Sequence, residues 1–551
     1  WPRGYGDQPL YRLVATLRRG NEELDRHEIR LGLRRLRLVQ RPLTDAPGTT
    51  FFFEINNLPI FCGGANWIPA DSFTPRIISN RYRHWLQLAA DGNMTMLRIW
   101  GGGIYEEDVF YSLCDELGLL VWQDFMFACG IYPALDWFQQ SVRAEVEANV
   151  RRLRHHPSIV LWCGNNEDYA IAESFGLYDQ HVTDDFSSTT FPARAIYERL
   201  LPDVCQSLDP MRPYWPGSPY GGKNSSDTTA GDVHVWSVWH GSMQPYQDYP
   251  RLAGRFVSEF GMEAFPDLAT IEAFTPPAER YPQSRTLDWH NKAEGGSRRI
   301  ISYLVDNVRV PSDLENYIYI TQFNQSEALA AAIGGWRRRW RGPGREHVAG
   351  ALVWQLDDCW PVISWAIADY ELRPKAAYYV MRRELAPFAL GLARLSEEQA
   401  EVWAVNALTD TITARLELHT WSLRGELVAQ ESRRIVLAPN QATELGRVAS
   451  RRDDTLVLGA RLLKDDVVIA RATLWPEPFK YLTLPDPGIR VERVDTTTLR
   501  VHVQRPAKGI WLSAGDDVRW SDNMLDVLPD DPHTIVVYGL DDATVQVKSL
   551  R

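Results

Sequence analysis

The 551-residue sequence is short of several things, and each shortage excludes something. It has no run of about 18 apolar residues, so no membrane-crossing helix is expected. No charged start precedes a short apolar stretch, so no leader is expected either. The six cysteines (Cys62, Cys114, Cys129, Cys163, Cys205 and Cys359) have no CxxC spacing. That disfavours a zinc site and a disulfide framework and reads them as reduced core thiols; with no leader, this points to the cytoplasm. Basic charge is in deficit, with 59 Lys and Arg against 71 Asp and Glu and a net charge of -12. This is the wrong sign for a chain that neutralises nucleic-acid phosphates. Repeats and low-complexity tracts are missing as well. What is in excess is tryptophan, with 21 residues, whose flat, rigid face suits cores, interfaces and the apolar faces of sugars.

The length implies roughly two to four domains. Residues 8–41 alternate apolar and polar positions around a turn at Gly20-Asn21, a hairpin pattern that resembles the last strands of a β-sandwich. Between about 51 and 390, short apolar runs alternate with helical stretches, which implies a parallel sheet. There are eight runs, at 60–66, 94–100, 119–125, 159–165, 213–218, 233–239, 255–259 and 351–356. Eight runs close a (β/α)8 TIM barrel, whose chemistry sits at the C-terminal ends of the strands. Period-two alternation returns over 391–480 and 486–551, as expected for two immunoglobulin-like β-sandwiches. The expected domains are therefore 1–49 (the C-terminal part of a sandwich), 50–388 (the barrel), 389–482 and 483–551 (two sandwiches), giving the class α/β plus all-β.

Two glutamates stand where strands four and seven leave the core: Glu167 after Leu161-Trp162-Cys163-Gly164-Asn165-Asn166, and Glu259 after Phe256-Val257-Ser258. For one glutamate alone, a helix cap or an ion pair with one of the many arginines is the plainer reading. Two on one rim, among aromatics, form the arrangement of glycoside hydrolysis, where one carboxyl donates a proton and the other stays ionised. His234, a lone histidine on an apolar strand, reads as a satisfied core group. The adjacent Asp357 and Asp358 read as a loop pair capped by arginine rather than as a metal site.

These segments resemble the β-mannosidases of glycoside hydrolase family 2. The resemblance is carried by 64–71 (GANWIPAD), 97–106 (LRIWGGGIYE), 121–127 (VWQDFMF), 162–167 (WCGNNE) and 258–261 (SEFG), in the right order and spacing. It implies a retaining exo-glycosidase acting on terminal non-reducing β-mannose of manno-oligosaccharides or glycan cores, without cofactor or metal. Glu259 is implied as the nucleophile and Glu167 as the acid/base. Asn166 is implied at the sugar 2-hydroxyl, Arg98 beside the nucleophile, and Trp100 and Trp354 as pocket walls, with Asp124, Trp236, His240 and Tyr249 as further pocket candidates. The resemblance also implies an N-terminal jelly-roll domain that sends a Trp-Asp-Trp-Gly-Pro loop into the pocket. No such motif occurs here, so a missing N-terminal domain or fragment is expected as a partner. The rival readings are another family 2 specificity (exo-β-glucosaminidase, β-galactosidase or β-glucuronidase) and an inactive carbohydrate-binding scaffold.

Overall fold

Each of the eight apolar runs overlaps a strand. The computed structural model describes residues 1–515, 517–541 and 543–551 and separates into two compact units. The first comprises Trp1–Ser237, Arg251–Gly261 and Pro343–Trp360, and the second comprises Val238–Pro250, Met262–Gly342 and Pro361–Arg551.

In the first unit, β1 (Tyr11–Arg19) and β2 (Glu22–Leu31) form an antiparallel hairpin. Gly20 turns it at φ +60°, a conformation that costs glycine little. Tyr11, Leu13 and Leu17 of this hairpin are exposed. β3 (Leu36–Val39), β4 (Phe52–Ile55) and β5 (Leu58–Ile60) make a small antiparallel sheet. Eight parallel strands follow: β6 (Cys62–Trp67), β7 (Met96–Ile99), β8 (Leu120–Asp124), β9 (Ile159–Cys163), β10 (Tyr214–Trp215), β11 (Val233–Val235), β12 (Val257–Phe260) and β13 (Gly350–Val353). Their order, β10-β9-β8-β7-β6-β13-β12-β11, is that of consecutive strands around a barrel. Between β10 and β11, side chains take over from the strand ladder. The buried Asp232 carboxylate accepts from Trp215 Nε1 (2.9 Å), Ser218 Oγ (2.7 Å), Ser258 Oγ (2.6 Å) and the Tyr220 amide (3.1 Å).

The barrel interior is a packed core. Phe51 lies 6.2 Å from the Trp122 ring, 4.8 Å from Trp215 and 5.9 Å from Phe256. These three residues stand on or beside strands three, five and seven, so a ring that touches all three sits near the barrel axis. Of the helices in this unit, α1 (Ser79–Asp91) shows most directly why its sequence is helical: Tyr82, Trp85, Leu86, Ala89 and Ala90 recur at the three-to-four spacing of one face and are all buried. α2 (Asp108–Leu117), α3 (Asp136–Leu153), α4 (Asp168–Ser174) and α5 (Leu201–Leu208) complete the set.

The second unit holds α6 (Leu268–Phe274), α7 (Arg285–Trp289), α8 (Gly296–Asn307), α9 (Leu314–Arg337) and α10 (Ala376–Glu384), together with two β-sandwiches. In the first sandwich, the sheet of Phe388–Arg394, Gln399–Asn406 and Gln441–Ala449 shares a core with that of Leu427–Leu437, Ile412–Ser422, Leu456–Lys464 and Val467–Leu474. Val402, Leu416, Leu437 and Leu462 lie at its centre. Ile412, Ala414, Leu416 and Leu418 are buried while the alternating Thr413 and Arg415 are exposed, the period-two signature of a half-buried strand. The second sandwich closes around Val501, Ile510, Leu512 and Ile535. No helix among the described residues is long and apolar enough to cross a membrane.

Candidate active site

Glu259 lies within β12, and Glu167 lies four residues beyond the end of β9. The chain stays extended past β9: Asn166 bridges to Ala128 on one side and to Ser218 on the other. It then turns abruptly, Glu167 taking φ +64° as the residue capping α4. A non-glycine residue in this left-handed region costs on the order of 1 kcal/mol. The turn is held by Glu167 N–H donating to Ser218 O (2.8 Å), Asp168 N–H to Asn165 Oδ1 (3.1 Å) and Ile171 N–H to Glu167 O (2.8 Å).

Behind the two glutamates stands Arg98, fully buried on β7. Its guanidinium makes five hydrogen bonds: Nε to Asp124 Oδ1 (3.3 Å), Nη2 to Asp124 Oδ2 (2.8 Å) and Asn166 Oδ1 (2.7 Å), and Nη1 to Asn66 Oδ1 (3.0 Å) and Glu259 Oε1 (2.6 Å). Every donor of the guanidinium is thus used. Asn66 is itself fixed by Nδ2 donating to Ser258 O at 3.0 Å. Both Arg98 and Asp124 are 0% exposed. Arg98 reaches Glu259 together with Asp124, Asn66 and Asn166, and Asp124, a further pocket candidate of the sequence, spends its carboxylate on Arg98. Replacing Arg98 by Met would leave Asp124 and Glu259 as buried charges without their cation. This is expected to lower stability by about 3–5 kcal/mol, seen in chemical denaturation; an unchanged midpoint and slope would contradict the structural role given to this arginine.

The front of the site is aromatic. Trp236 Nε1 donates to Glu259 Oε2 at 3.2 Å. Trp100 and Trp354, at the ends of β7 and β13, meet edge to face with centroids 5.3 Å apart. All three tryptophans are half-buried. Gly102 makes room for Trp100, since a Cβ there would stand 2.1 Å from the indole ring. Asn166 is buried, and Arg98 occupies its carbonyl oxygen, which leaves Nδ2 as its donor side; that nitrogen lies 3.4 Å from Cys129 Sγ.

Two residues depart from the reading of the sequence. His234 is buried as a core histidine would be, yet it is no core group. Its Nδ1 lies 2.7 Å from Glu167 Oε1 and 3.4 Å from Glu259 Oε2. The parallel register of β11 and β12 sets His234 opposite Glu259, a pairing that the apolar run around His234 does not reveal. Cys129, expected among the core thiols, is exposed on a loop at φ +51°, with Sγ 3.5 Å from Glu167 Oε2. Although the residue as a whole is exposed, partial burial of its sulfur and the charges of Glu167 and Glu259 push the thiol up to about 12, and the S–H faces Glu167 Oε2. All six cysteines are free; Cys62, Cys114, Cys163 and Cys205 are buried and Cys359 partly so.

His240 and Tyr249 belong to the second unit, where the His240 ring lies 5.8 Å from Trp365 and the Tyr249 ring 5.6 Å from Trp336. Asp357 accepts from the Ile68 amide (3.3 Å) and Asp358 from Gln355 Nε2 (3.2 Å).

Electrostatically, the carboxyls are driven apart. Burial raises Glu167, but the hydrogen bond and charge of His234, helped by Cys129 and Arg98, more than offset it and hold the group below its ordinary value. Burial lifts Glu259 above its ordinary value against the pull of His234 and Arg98, and the charge of Glu167 adds to the lift. For His234, burial lowers the imidazole, but Glu259 and Glu167 together raise it above its ordinary value. A proton donor and a nucleophile would each need the opposite direction. For Glu259 the contacts speak against the burial effect, because both of its oxygens accept, from Arg98 and from Trp236, as an ionised carboxylate does. For Glu167 the counterweight is His234. The reactive atoms of Glu167, His234 and Glu259 lie within 4.8 Å of one another. Chemically, the group can supply an ionised nucleophile, a proton, and a donor shell for a hydroxyl.

Comparison with known proteins accords with the barrel and the sandwiches. Residues 398–481 match the Mannosidase Ig/CBM-like domain and residues 484–551 the Ig-fold domain. The chain is 49% identical to a protein named Beta-mannosidase B from Thermothelomyces thermophilus, covering 98% of this chain and 68% of that one. It is 46% identical to Beta-mannosidase B from Emericella nidulans, covering 100% of this chain and 68% of that one. The crystal structure of the β-D-mannosidase from Dictyoglomus thermophilum superposes with a TM-score of 0.91 at 37% identity, covering 100% of this chain and 68% of that one.

Proposed function

The chain belongs to the β-mannosidases of glycoside hydrolase family 2, and from that premise we propose that it is an exo-acting, retaining enzyme that releases terminal β-linked mannose from manno-oligosaccharides or glycan cores. The observation that carries the mechanism is the separation of the carboxyls. Oxygens of Glu167 and Glu259 lie within 4.8 Å of each other. Retaining glycosidases place the two groups about 5–5.5 Å apart, whereas inverting ones leave about 6.5–9.5 Å for a water.

In this reading Glu259 attacks the anomeric carbon to form a glycosyl ester, and Glu167 protonates the departing oxygen and then takes a proton from the attacking water. Arg98 holds Glu259 as an acceptor facing the pocket. Asn166, its amide oriented by Arg98, offers Nδ2 to the 2-hydroxyl, a contact that strengthens as charge develops at the anomeric carbon. Trp100 and Trp354 wall the subsite for one terminal sugar, which favours exo cleavage. The domain limits proposed with this function are 1–49, 50–388, 389–482 and 483–551, on the change of periodicity and the two matched segments.

A panel of 4-nitrophenyl β-glycosides tests the specificity. The β-mannoside is expected to give a kcat/KM at least about tenfold above the β-glucosaminide, β-galactoside and β-glucuronide, a discrimination within reach of one mispositioned hydroxyl contact. Equal rates across the panel would remove the mannoside reading, and no hydrolysis of any member would favour an inactive binding scaffold.

A further inference from the structure

The role of His234 follows from the hydrogen bonds around its ring. Its Nε2 lies 3.1 Å from Ser218 Oγ. Ser218 has one hydroxyl proton and gives it to Asp232 Oδ2 at 2.7 Å, where Ser258 also donates at 2.6 Å. The contact to Asp232 is the shortest that the Ser218 hydroxyl makes, ahead of His234 Nε2 at 3.1 Å and Ser258 Oγ at 3.2 Å. With its proton there, Ser218 faces the imidazole with a lone pair, and Nε2 carries hydrogen. A neutral ring would then present a bare Nδ1 to Glu167 Oε1 at 2.7 Å. If the carboxylate were also ionised, two lone pairs would face each other across a hydrogen-bond distance. The contact therefore holds one proton between the two atoms, either as imidazolium and carboxylate or as neutral imidazole and carboxylic acid.

We propose that His234 is the positioning residue that holds the proton delivered by Glu167, keeping it on Nδ1 in the resting site and passing it to Oε1 as the leaving oxygen arrives. This rests on the reading of Glu167 as acid/base, and it accounts for a donor that is held ionised at rest. The charged and titratable groups facing the ring are Glu167 from the segment after β9, Glu259 on β12, Arg98 on β7 behind both, and Asp232 through Ser218; Cys129 lies on the other oxygen of Glu167. Arg98 and Asp124 form an ion pair of no net charge. The trio of Glu167, His234 and Glu259 then carries one negative charge wherever the shared proton sits, so moving it changes no net charge.

In the first half-reaction Glu259 forms its bond to the anomeric carbon and the glycosidic electron pair goes to the leaving oxygen. That oxygen takes the proton from Glu167 as the proton leaves Nδ1, and His234 ends neutral, its bare Nδ1 facing the Glu167 carboxylate in an unfavourable contact that the next proton relieves. In the second half-reaction the water oxygen bonds to the anomeric carbon and the ester electron pair returns to Glu259. The water proton goes to Glu167 and re-enters the shared position.

The test compares His234→Ala and His234→Gln with the wild type. Glutamine keeps a donor toward Glu167 but has no proton to give. For both variants the basic limb of the kcat/KM profile is expected to move down by about one to two pH units, the gap between an imidazole and a carboxyl. Loss of kcat/KM on mannobiose is expected to be about 10²-fold, the low end of general acid catalysis. For 2,4-dinitrophenyl β-mannoside, whose leaving group needs no proton, it should be less than about threefold on the same basis. A purely structural role would lower both substrates by one factor and leave the limb in place, and that result overturns the proposal. If the variants do not fold, 15N-histidine spectra of the wild type and of Glu167→Gln decide: the His234 pKa should fall by at least about one unit when the carboxylate is removed, and an unchanged value overturns the proposal. Failure of the parent reading looks different, since the wild type itself would then show no β-mannosidase activity.

Discussion

Glu259→Gln is expected to lower kcat by about 10⁵–10⁶-fold, the scale on which removing a nucleophile stops a two-step reaction. The loss should be as deep for 2,4-dinitrophenyl β-mannoside as for mannobiose, because a better leaving group does not replace the missing attacking oxygen. Glutamine is nearly isosteric, so KM should change little. The substitution also sets an amide N–H₂ where Arg98 Nη1 (2.6 Å) or Trp236 Nε1 (3.2 Å) now finds an acceptor. One donor is left unpaired, at a cost of about 1–3 kcal/mol, so the variant should be folded but less stable. Azide added to Glu259→Ala should give the α-azide, by single displacement in the vacated space. A residual rate that rises a thousandfold with the dinitrophenyl leaving group would be incompatible with Glu259 as nucleophile.

Glu167→Ala has the second largest expected effect, and its pattern is more informative than its size. Loss of general acid help should cost about 10²–10⁴-fold on mannobiose. On the dinitrophenyl mannoside the first step needs no proton and should be nearly unchanged. The second step loses its general base, so glycosyl-enzyme accumulates and both kcat and KM fall together. Azide, which needs no deprotonation, should restore turnover and release the β-azide, with retention. The two glutamates are thus separated by product stereochemistry as well as by rate. Equal rescue of both variants with β-products would reverse or dissolve the assignment.

These roles show how far the sequence could be read. The strands were legible because a buried parallel strand is a short apolar run bounded by turns, and Val121, Trp122 and Leu161 sit in runs of that kind. The sandwiches were legible because Ile412–Ser422 alternates. Glu167 and Glu259 could be located because polar residues at strand ends are conspicuous against apolar runs. What could not be read was the partner of each side chain. Arg98 could be placed beside the nucleophile only by resemblance; that its five donors are shared among Asp124, Asn166, Asn66 and Glu259, from four separate strands or loops, belongs to the folded structure. His234 looked like core because burial and apolar neighbours are what the sequence reveals, while the register that sets it opposite Glu259 belongs to the folded sheet. Cys129 was misjudged for a related reason: its exposure follows from a left-handed backbone turn that no apolar pattern marks. Helix α4 had no periodic signal either, its seven residues beginning at the Glu167 turn.

The central claim is that Glu259 attacks the anomeric carbon of a β-mannoside. Incubation with an activated 2-deoxy-2-fluoro-β-mannoside, followed by proteolysis and mass mapping, tests it most directly, because the fluorine slows release of the covalent intermediate. The account predicts time-dependent inactivation, with one fluoromannosyl group on the peptide containing Glu259. A label on the peptide containing Glu167, or steady turnover of natural β-mannosides with no label on Glu259, would contradict it.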